Sequence, residues 1–363
     1  MRIGLVGLQG SGKTTIFNAL TGQQAQTSAF GGGRGGANQA VTKVPDDRLD
    51  RLSALFNPKK HTPATVEFID LAGVARGEGG AGDGLGDKQI AEIATAEALL
   101  VVLRGFADAA GQPPDVTGDL EAINLEMALS DLKKVENRLE RMGKSLRGAA
   151  GREKELLEIE QAACVAVKGA LEEGRPARAA ALTPEQAKSL RGFQLLTMKP
   201  TMFLINEDEA GWAARKDSPV DLGPASAWPD TYGARLCGEM EMEIARLDEA
   251  DRAAFMEDLG IREPAAHRVI RLCYELLGQI SFFTVGPDEC RAWTVRRGAL
   301  APEAAGAIHS DLERGFIRAE VIGWEELLAL GSYAEAKKKG KLRLEGKQYE
   351  VRDGDVINVL FNV

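Results

Sequence analysis

Residues 7–14 combine glycines with a lysine and a hydroxyl side chain, in the order Gly-Leu-Gln-Gly-Ser-Gly-Lys-Thr. Glycine lets backbone N–H groups turn toward an anion, because no Cβ blocks the approach. In such a loop a lysine, here Lys13, reaches the β- and γ-phosphates of a nucleotide, and a hydroxyl, here Thr14, binds Mg²⁺. The pattern predicts a phosphate-binding loop, and the alternative is a glycine-rich turn that matches by chance.

The segments around this loop have the order that a phosphate-binding loop requires. The apolar run 3–6 predicts a strand before it, and residues 15–20 predict a helix after it. The helix N-terminus adds a partial positive charge at the same place. The residues predicted to contact the nucleotide here are Gly7, Gly10, Ser11, Gly12, Lys13, Thr14 and Thr15.

An acid at the end of a later strand completes the predicted phosphate site. Asp70 follows the apolar strand predicted at 64–69, where the second protein ligand of Mg²⁺ belongs. Gly73 lies where its N–H can meet the γ-phosphate, but the next residue is Val74, where many switch nucleotidases carry a water-orienting glutamine. The predicted catalytic residues are Lys13, Thr14, Asp70 and Gly73, and the predicted metal ligands are Thr14 and Asp70.

The strand predicted at 202–205 ends in Asn-Glu-Asp-Glu, at residues 206–209. Guanine-specific switches end the equivalent strand in Asn-Lys-x-Asp, whose aspartate accepts two hydrogen bonds from guanine. Here Glu207 replaces the lysine and Glu209 the aspartate, which predicts relaxed or adenine-leaning selectivity; the alternative is a solvated acidic turn. The predicted base contacts are Asn206, Glu209, Cys237 and Gly238.

Two glycine-rich tracts flank these segments. Residues 23–40 fall where a nucleotide switch would reach the γ-phosphate, with Arg34 as a candidate contact, and a flexible linker is the equal alternative. Residues 77–86 are predicted to form a loop that becomes ordered on nucleotide binding, and a solvated loop is the alternative for the charged residues in it.

Composition limits the classes of protein that need consideration. The 363 residues carry a net charge of −9, which argues against coating DNA without regard to sequence, although a local basic face could bind RNA. The four cysteines show no CxxC spacing, so reduced thiols are expected. No apolar run is long enough to span a membrane, and the chain enters the nucleotide loop too early for a signal peptide. We expect a cytoplasmic monomer that binds neither DNA nor a membrane.

The hydrophobic period changes along the chain and indicates three parts. Apolar residues between Leu125 and Leu146 alternate three- and four-residue steps, and a second stripe joins Leu156 to Val167, as in an antiparallel coiled-coil hairpin. From residue 281, short strands with glycine turns surround one helix, as in ubiquitin-like sheets. The basic run 337–341 is either a solvated turn or an RNA-facing patch. The predicted domains are a nucleotide domain at 1–118 and 198–280, a helical insertion at 119–197, and a C-terminal domain at 281–363.

Together these residues resemble the YchF family of Obg-related P-loop nucleotidases over essentially the whole chain. The most specific stretches are 292–294, 305–321 and 353–356, and the segments 82–86 and 197–200 also match. The resemblance implies an α/β fold: a P-loop domain with a mostly parallel sheet, an inserted α-helical hairpin and a C-terminal TGS domain of the β-grasp type. It also implies Mg²⁺ and association with the ribosome or ribosomal RNA through the TGS domain and the hairpin.

The match and its departures both bear on activity. The family carries Asn-x-x-Glu where Asn206 and Glu209 stand, which implies ATP hydrolysis at least as good as GTP hydrolysis. This chain departs from the family pattern at three places. The family's phosphate loop has Pro-Asn-Val where residues 9–11 are Gln-Gly-Ser, and its first switch has a threonine where Phe30 is followed by glycines. Residues 104–118 also lack the histidine that many members carry. The chain therefore resembles a divergent paralogue within this family.

The leading functional hypothesis is a slow ATP or GTP hydrolase that acts as a conformational switch on the ribosome. Intrinsic turnover is expected on the order of 10⁻⁴ to 10⁻² per second. The first alternative is a nucleotide-sensing RNA- or ribosome-binding module with negligible hydrolysis. A metabolic kinase is a weaker alternative, because the sequence offers no acceptor site or lid.

Overall fold

The computed structural model describes residues 2–22, 38–70, 87–216, 218–259 and 261–362, without the side chains of residues 87, 88 and 249. The predictions for Arg34, Gly73, Val74 and the tract 77–86 lie outside the described residues. No helix in the described ranges is long and apolar enough to cross a membrane.

The chain alternates strands and helices in its first part and again near its C-terminus. The strands are β1 (Arg2–Val6), β2 (Asn38–Lys43), β3 (Lys60–Thr62), β4 (Thr65–Asp70), β5 (Ala98–Gly105), β6 (Thr201–Glu207), β7 (Thr231–Leu236), β8 (Gln279–Thr284), β9 (Glu289–Arg296), β10 (Phe316–Gly323), β11 (Arg343–Glu345) and β12 (Asp355–Phe361). The helices are α1 (Lys13–Thr21), α2 (Asp47–Phe56), α3 (Asp87–Ala94), α4 (Val116–Gly148), α5 (Gly151–Glu172), α6 (Pro184–Ser189), α7 (Glu209–Arg215), α8 (Gly238–Arg246), α9 (Glu249–Asp258), α10 (Ala265–Leu276), α11 (Ala301–Ile308), α12 (Ser310–Arg314), α13 (Trp324–Leu330) and α14 (Tyr333–Lys338).

A six-stranded sheet with the order β2-β4-β1-β5-β6-β7 carries the phosphate loop. The pairs β1–β4, β1–β5, β5–β6 and β6–β7 are parallel, as predicted. Strand β5 is buried at every residue, because helices cover both faces of such a sheet and favour continuous apolar strands. The register aligns Leu5 with Asp70 and Arg104 with Asn206, so the functional side chains gather at the carboxyl edge of the sheet.

Helices α4 and α5 form the predicted antiparallel pair, with Val135 and Val167 in its core. Leu125, predicted in the seam, is instead 55% exposed. The reason is that Ile123 and Met127 pack into the core of the main sheet, and a residue two positions from either lies on the opposite side of a helix. Burial against the sheet therefore decides the orientation of this end of α4.

A buried carboxylate anchors α4 to the segment that leads into β6. Asp131 is fully buried and accepts hydrogen bonds from Leu196 N at 2.8 Å and from Thr197 N and Oγ1 at 2.7 Å each. Burial raises the pKa of Asp131, and these donors oppose the rise. The contacts give a structural reason for a threonine at position 197.

The second sheet has the order β11-β10-β12-β8-β9-β3 and mixes antiparallel and parallel pairs, as a β-grasp domain does. Helix α11 packs on β9 and β10. Asp353, in one of the stretches that carried the resemblance, accepts from Ser281 N at 2.9 Å and from Arg48 Nη1 at 2.7 Å. Its carboxylate thus joins β8 to α2 within this unit.

The chain divides into two compact units, residues 1–42 with 67–269 and residues 43–66 with 270–363. The sequence-based division placed all of 1–118 in the nucleotide domain. The difference arises because β3 pairs in parallel with β9, and because Arg48 reaches both Asp353 and the ring of Phe283. Residues 43–66 therefore belong with the C-terminal sheet.

Candidate nucleotide-binding site

The loop between β1 and α1 has the backbone that an anion cradle needs. Gly10 and Gly12 have φ of +82° and +85°, in the left-handed region that side chains other than glycine rarely adopt. At Gly7 a Cβ would lie 2.6 Å from Val102 O and 2.8 Å from Ser11 Oγ. Glycine is thus required at these positions for reasons of conformation or space, and the N-terminus of α1 follows directly.

Thr14 and Asp70 come together beside this cradle, as predicted from their order in the chain. The Thr14 hydroxyl donates to Asp70 Oδ2 over 3.1 Å, which leaves the lone pairs of the hydroxyl oxygen for a cation. Asp70 Oδ1 is buried and has no hydrogen-bond partner among the described residues. Mg²⁺ prefers such hard oxygen ligands and usually takes one or two from the protein. The residues present therefore fit a magnesium ion.

Lys13 and Asp70 influence each other's charge. Burial lowers the pKa of Lys13, which is 8% exposed, and the Asp70 carboxylate opposes this shift. Burial also raises the pKa of Asp70, against the opposing effects of Lys13, Thr14 and Asn38. A bound phosphate would favour the ammonium form of Lys13 because it adds negative charge nearby.

Asn206 connects the phosphate loop to the turn that follows β7. Its side chain is 5% exposed; Nδ2 donates to Ser11 O over 3.1 Å, and Oδ1 accepts from Gly238 N at 3.0 Å. A Cβ at Gly12 would lie 2.2 Å from Asn206 Nδ2, so the contact is close. The structure brings the phosphate and base segments together through this amide. Direct contact of Asn206 with a base stays a prediction.

Two of the other predicted base residues lie at the starts of helices. Glu209 is exposed and begins α7, after Asp208, which caps that helix by accepting from Gly211 N at 2.7 Å. Cys237 is buried at the N-terminus of α8, and burial raises its pKa although the N–H groups of residues 239 and 240 donate to its sulfur. Glu209 is therefore accessible to a base, whereas the Cys237 thiol is not.

Two residues that were not predicted from the sequence support the site. Asn38, the first residue of β2, donates from Nδ2 to Asp70 Oδ2 over 3.4 Å. Arg235, in β7, pairs with the buried Glu207 at 3.2 Å. No local pattern marks either residue, because each contact joins strands far apart in sequence.

The site has a glycine cradle at a helix N-terminus, Lys13 beside it, and a hydroxyl–carboxylate pair formed by Thr14 and the last residue of the neighbouring strand β4. These features define a P-loop nucleotide-binding protein. The family model described as a 50S ribosome-binding GTPase matches residues 2–138. The YchF-GTPase_C model, described as a protein of unknown function (DUF933), matches residues 279–362.

Relatives of similar length share both parts of the chain. The Ribosome-binding ATPase YchF of Bacillus subtilis is 41% identical over 99% of either chain. The protein of the same name from Escherichia coli O157:H7 is 39% identical over 100% of this chain and 99% of its own. The solved structure of the Schizosaccharomyces pombe YchF GTPase superimposes with a TM-score of 0.84, at 28% identity and with 99% and 97% of the two chains covered. The chain belongs to the YchF family, which confirms the resemblance.

Proposed function

We propose that this protein binds ATP, GTP or both with Mg²⁺, hydrolyses the bound nucleotide slowly, and acts as a nucleotide-dependent switch on the ribosome. The observation that carries the proposal is the phosphate cradle with the Thr14–Asp70 pair beside it, whose second carboxylate oxygen is buried without a partner among the described residues. The names of the relatives, Ribosome-binding ATPase in several bacteria, support both the reaction and the partner.

The residues of the cradle have distinct parts in this mechanism. The backbone N–H groups of residues 10 and 12–14 and the ammonium of Lys13 bind the β- and γ-phosphates and stabilise the negative charge of the transition state. Thr14 and Asp70 would hold Mg²⁺, which supplies further charge neutralisation when bound. Gly73 is proposed to donate its N–H to the γ-phosphate. Turnover is expected to be slow, because Val74 replaces a water-orienting glutamine.

Base recognition is assigned to the turns at the ends of β6 and β7. The proposed contacts are the exposed carboxylate of Glu209, the amide of Asn206, and the backbone at Cys237 and Gly238. A glutamate at 209 in place of the shorter aspartate supports tolerance of adenine. The name of a rice relative, Obg-like ATPase 1, which is 35% identical, agrees with ATP as a substrate.

The ribosome or its RNA is proposed to bind the C-terminal β-grasp domain and the helical hairpin of a monomeric, cytoplasmic protein. In the basic run 337–341, Lys338 and Lys341 form exposed ion pairs with Glu335 and Glu326. Exposed pairs contribute little, so both lysines can exchange these partners for phosphate at small cost.

The test is single-turnover hydrolysis of ATP and GTP, with and without ribosomes. The wild-type rate without ribosomes should be on the order of 10⁻⁴ to 10⁻² per second and should rise when ribosomes are added. Lys13→Ala should lose activity, whereas Lys59→Ala, which removes an exposed lysine paired with Asp288, should retain the ribosome-free rate. A fast ribosome-free reaction, or full activity in Lys13→Ala, would contradict the mechanism.

Calorimetry combined with the hydrolysis assay separates the alternative function. Calorimetry with ATP, a non-hydrolysable analogue and ADP reports binding independently of turnover. Comparable affinities for all three, with no hydrolysis even when ribosomes are present, would identify a nucleotide-sensing binding module instead of a hydrolase.

A further inference from the structure

Glu207 and Arg235 form a buried ion pair at the base of the two turns assigned to the nucleobase. Their side chains are 2% and 7% exposed, and Arg235 Nη1 lies 3.2 Å from Glu207 Oε1. Arg215, on α7, donates from Nε to the same oxygen over 3.0 Å. One carboxylate therefore connects β6, β7 and α7.

The pair lies beneath the residues that would meet a base. Glu207 directly follows Asn206, and its side chain points to the other face of the sheet, because successive strand residues alternate. In the β6–β7 register Ile205 faces Arg235 and Asn206 faces Leu236, one residue before Cys237. Arg235 Nη2 also donates to Pro219 O over 3.0 Å, which fixes the guanidinium in place.

We propose that Glu207 and Arg235 are positioning residues that hold the turns 206–209 and 236–238 in the geometry for base binding. Their charges also make a guanine-type Asn-Lys-x-Asp turn at residues 206–209 incompatible with this site. The proposal rests on the proposed function, since it concerns the same nucleotide site. Neither side chain contacts the base in this scheme; each acts through the backbone that it fixes.

Charge explains the exclusion. A lysine at 207, as in Asn-Lys-x-Asp turns, would bring an ammonium group against the buried Arg235, where little solvent reaches, and toward the half-exposed Arg215. Like charges in such a space repel strongly, because little water screens them. The acid at 207 and the arginine at 235 are consequently one unit. Without Glu207 the buried guanidinium of Arg235 has no carboxylate partner, and without Arg235 the buried carboxylate of Glu207 keeps only the half-exposed Arg215.

The test compares nucleotide with inorganic tripolyphosphate, which has no base. Displacement of a fluorescent ATP analogue gives both affinities for the wild type, Glu207→Gln, Arg235→Leu, and the double variant Glu207→Leu with Arg235→Leu. Each single variant should bind ATP about tenfold more weakly and tripolyphosphate with less than about a twofold change. The double variant should recover to within about threefold of the wild type, since no buried charge is left unpaired and Arg215 is half-exposed.

A second arm tests the exclusion of the guanine-type turn. Glu207→Lys with Glu209→Asp should bind GTP poorly while Arg235 is present, and adding Arg235→Leu should improve GTP affinity by about tenfold or more. Asp131→Asn is the structural control: it disturbs a buried carboxylate of the same unit that contacts neither turn, so the ratio of ATP to tripolyphosphate affinity should not change.

Three results would overturn the inference. They are equal weakening of ATP and tripolyphosphate in the single variants, unchanged ATP affinity in Arg235→Leu, and improved GTP binding in Glu207→Lys with Glu209→Asp while Arg235 remains. A wild-type protein that binds neither ATP nor GTP would instead refute the proposed function, so the two failures are distinguishable.

Discussion

Replacing Asn206 with alanine should weaken nucleotide binding, although the phosphates need not touch this side chain. The substitution removes one donor and one acceptor and leaves Ser11 O and Gly238 N without their partner. Asn206→Asp is a more selective change, because it keeps an acceptor for Gly238 N and places a carboxylate oxygen against Ser11 O.

The magnitude follows from the two contacts. A buried polar group that loses its partner costs about 1–3 kcal/mol, so two such groups give about 2–6 kcal/mol in Asn206→Ala. If about 2 kcal/mol of this lost free energy had stabilised the binding form of the phosphate loop, the apparent Kd for ATP rises about 30-fold. Asn206→Asp should lose at least as much affinity, because two acceptor oxygens then face each other at Ser11.

Calorimetric titration with ATP and Mg²⁺ measures the affinity, and hydrogen exchange of the Gly238 amide reports the local contact. The amide should exchange faster in Asn206→Ala and keep its protection in Asn206→Asp. Asn124→Ala is the matched control, since Asn124 is a buried asparagine that donates to Gly174 O over 3.0 Å in the helical hairpin. An Asn206→Ala protein that binds ATP as the wild type does, with Gly238 still protected, would refute the reasoning.

Three further predictions concern other residues of the same unit. Burial raises the pKa of Asp70 above its ordinary 3.8, so above about pH 4 the folded carboxyl keeps a proton that the unfolded one has lost. As the pH rises from there, the stability of the nucleotide-free protein should fall, whereas its Mg²⁺-dependent affinity for ATP should rise. Asp70→Asn should remove both trends, which urea unfolding and calorimetry measure. Gly7→Ala should cost about 1–3 kcal/mol and abolish ATP binding because its Cβ has no room, whereas Gly143→Ala, in open space on α4, should gain about 0.5–1 kcal/mol in the same unfolding assay. Asp131→Asn should lower the free energy of unfolding by about 2–3 kcal/mol, because an amide N–H then faces the donors of Leu196 and Thr197, with ATP affinity unchanged.

The phosphate end of the site could be predicted because its chemistry is local. Lys13 and Thr14 follow the glycines directly, and in a parallel sheet an acid at the end of a strand must lie at the carboxyl edge. The Thr14–Asp70 contact therefore followed from the order of elements alone. Most β-grasp strands were equally readable, because alternating residues and glycine turns are local signals. The prediction of a single helix in this domain was wrong, because the described residues after 300 form the four helices α11 to α14.

Contacts between distant segments could not be predicted in this way. The sequence marks Glu207 as an acid in a turn, but its burial depends on Arg235, 28 residues later, and on strand alternation that turns the side chain away from the phosphate loop. The membership of residues 43–66 in the second unit likewise depends on pairing between β3 and β9. The exposure of Leu125 depends on a competing core that helical periodicity does not reveal.

The segment before β6, residues 196–199, connects the helical hairpin to the C-terminal end of helix α3. Lys199 donates from Nζ to Ala94 O, in the last turn of α3, over 2.9 Å, and also to Ala96 O. Two residues earlier, Thr197 is held by Asp131 of α4. Helix α3 comes after the segment that contains Gly73, the predicted γ-phosphate contact. A displacement of α3 must therefore either break the partly buried contacts of Lys199 or carry the 196–199 turn and α4 with it, and the cost of leaving these groups unpaired favours joint movement.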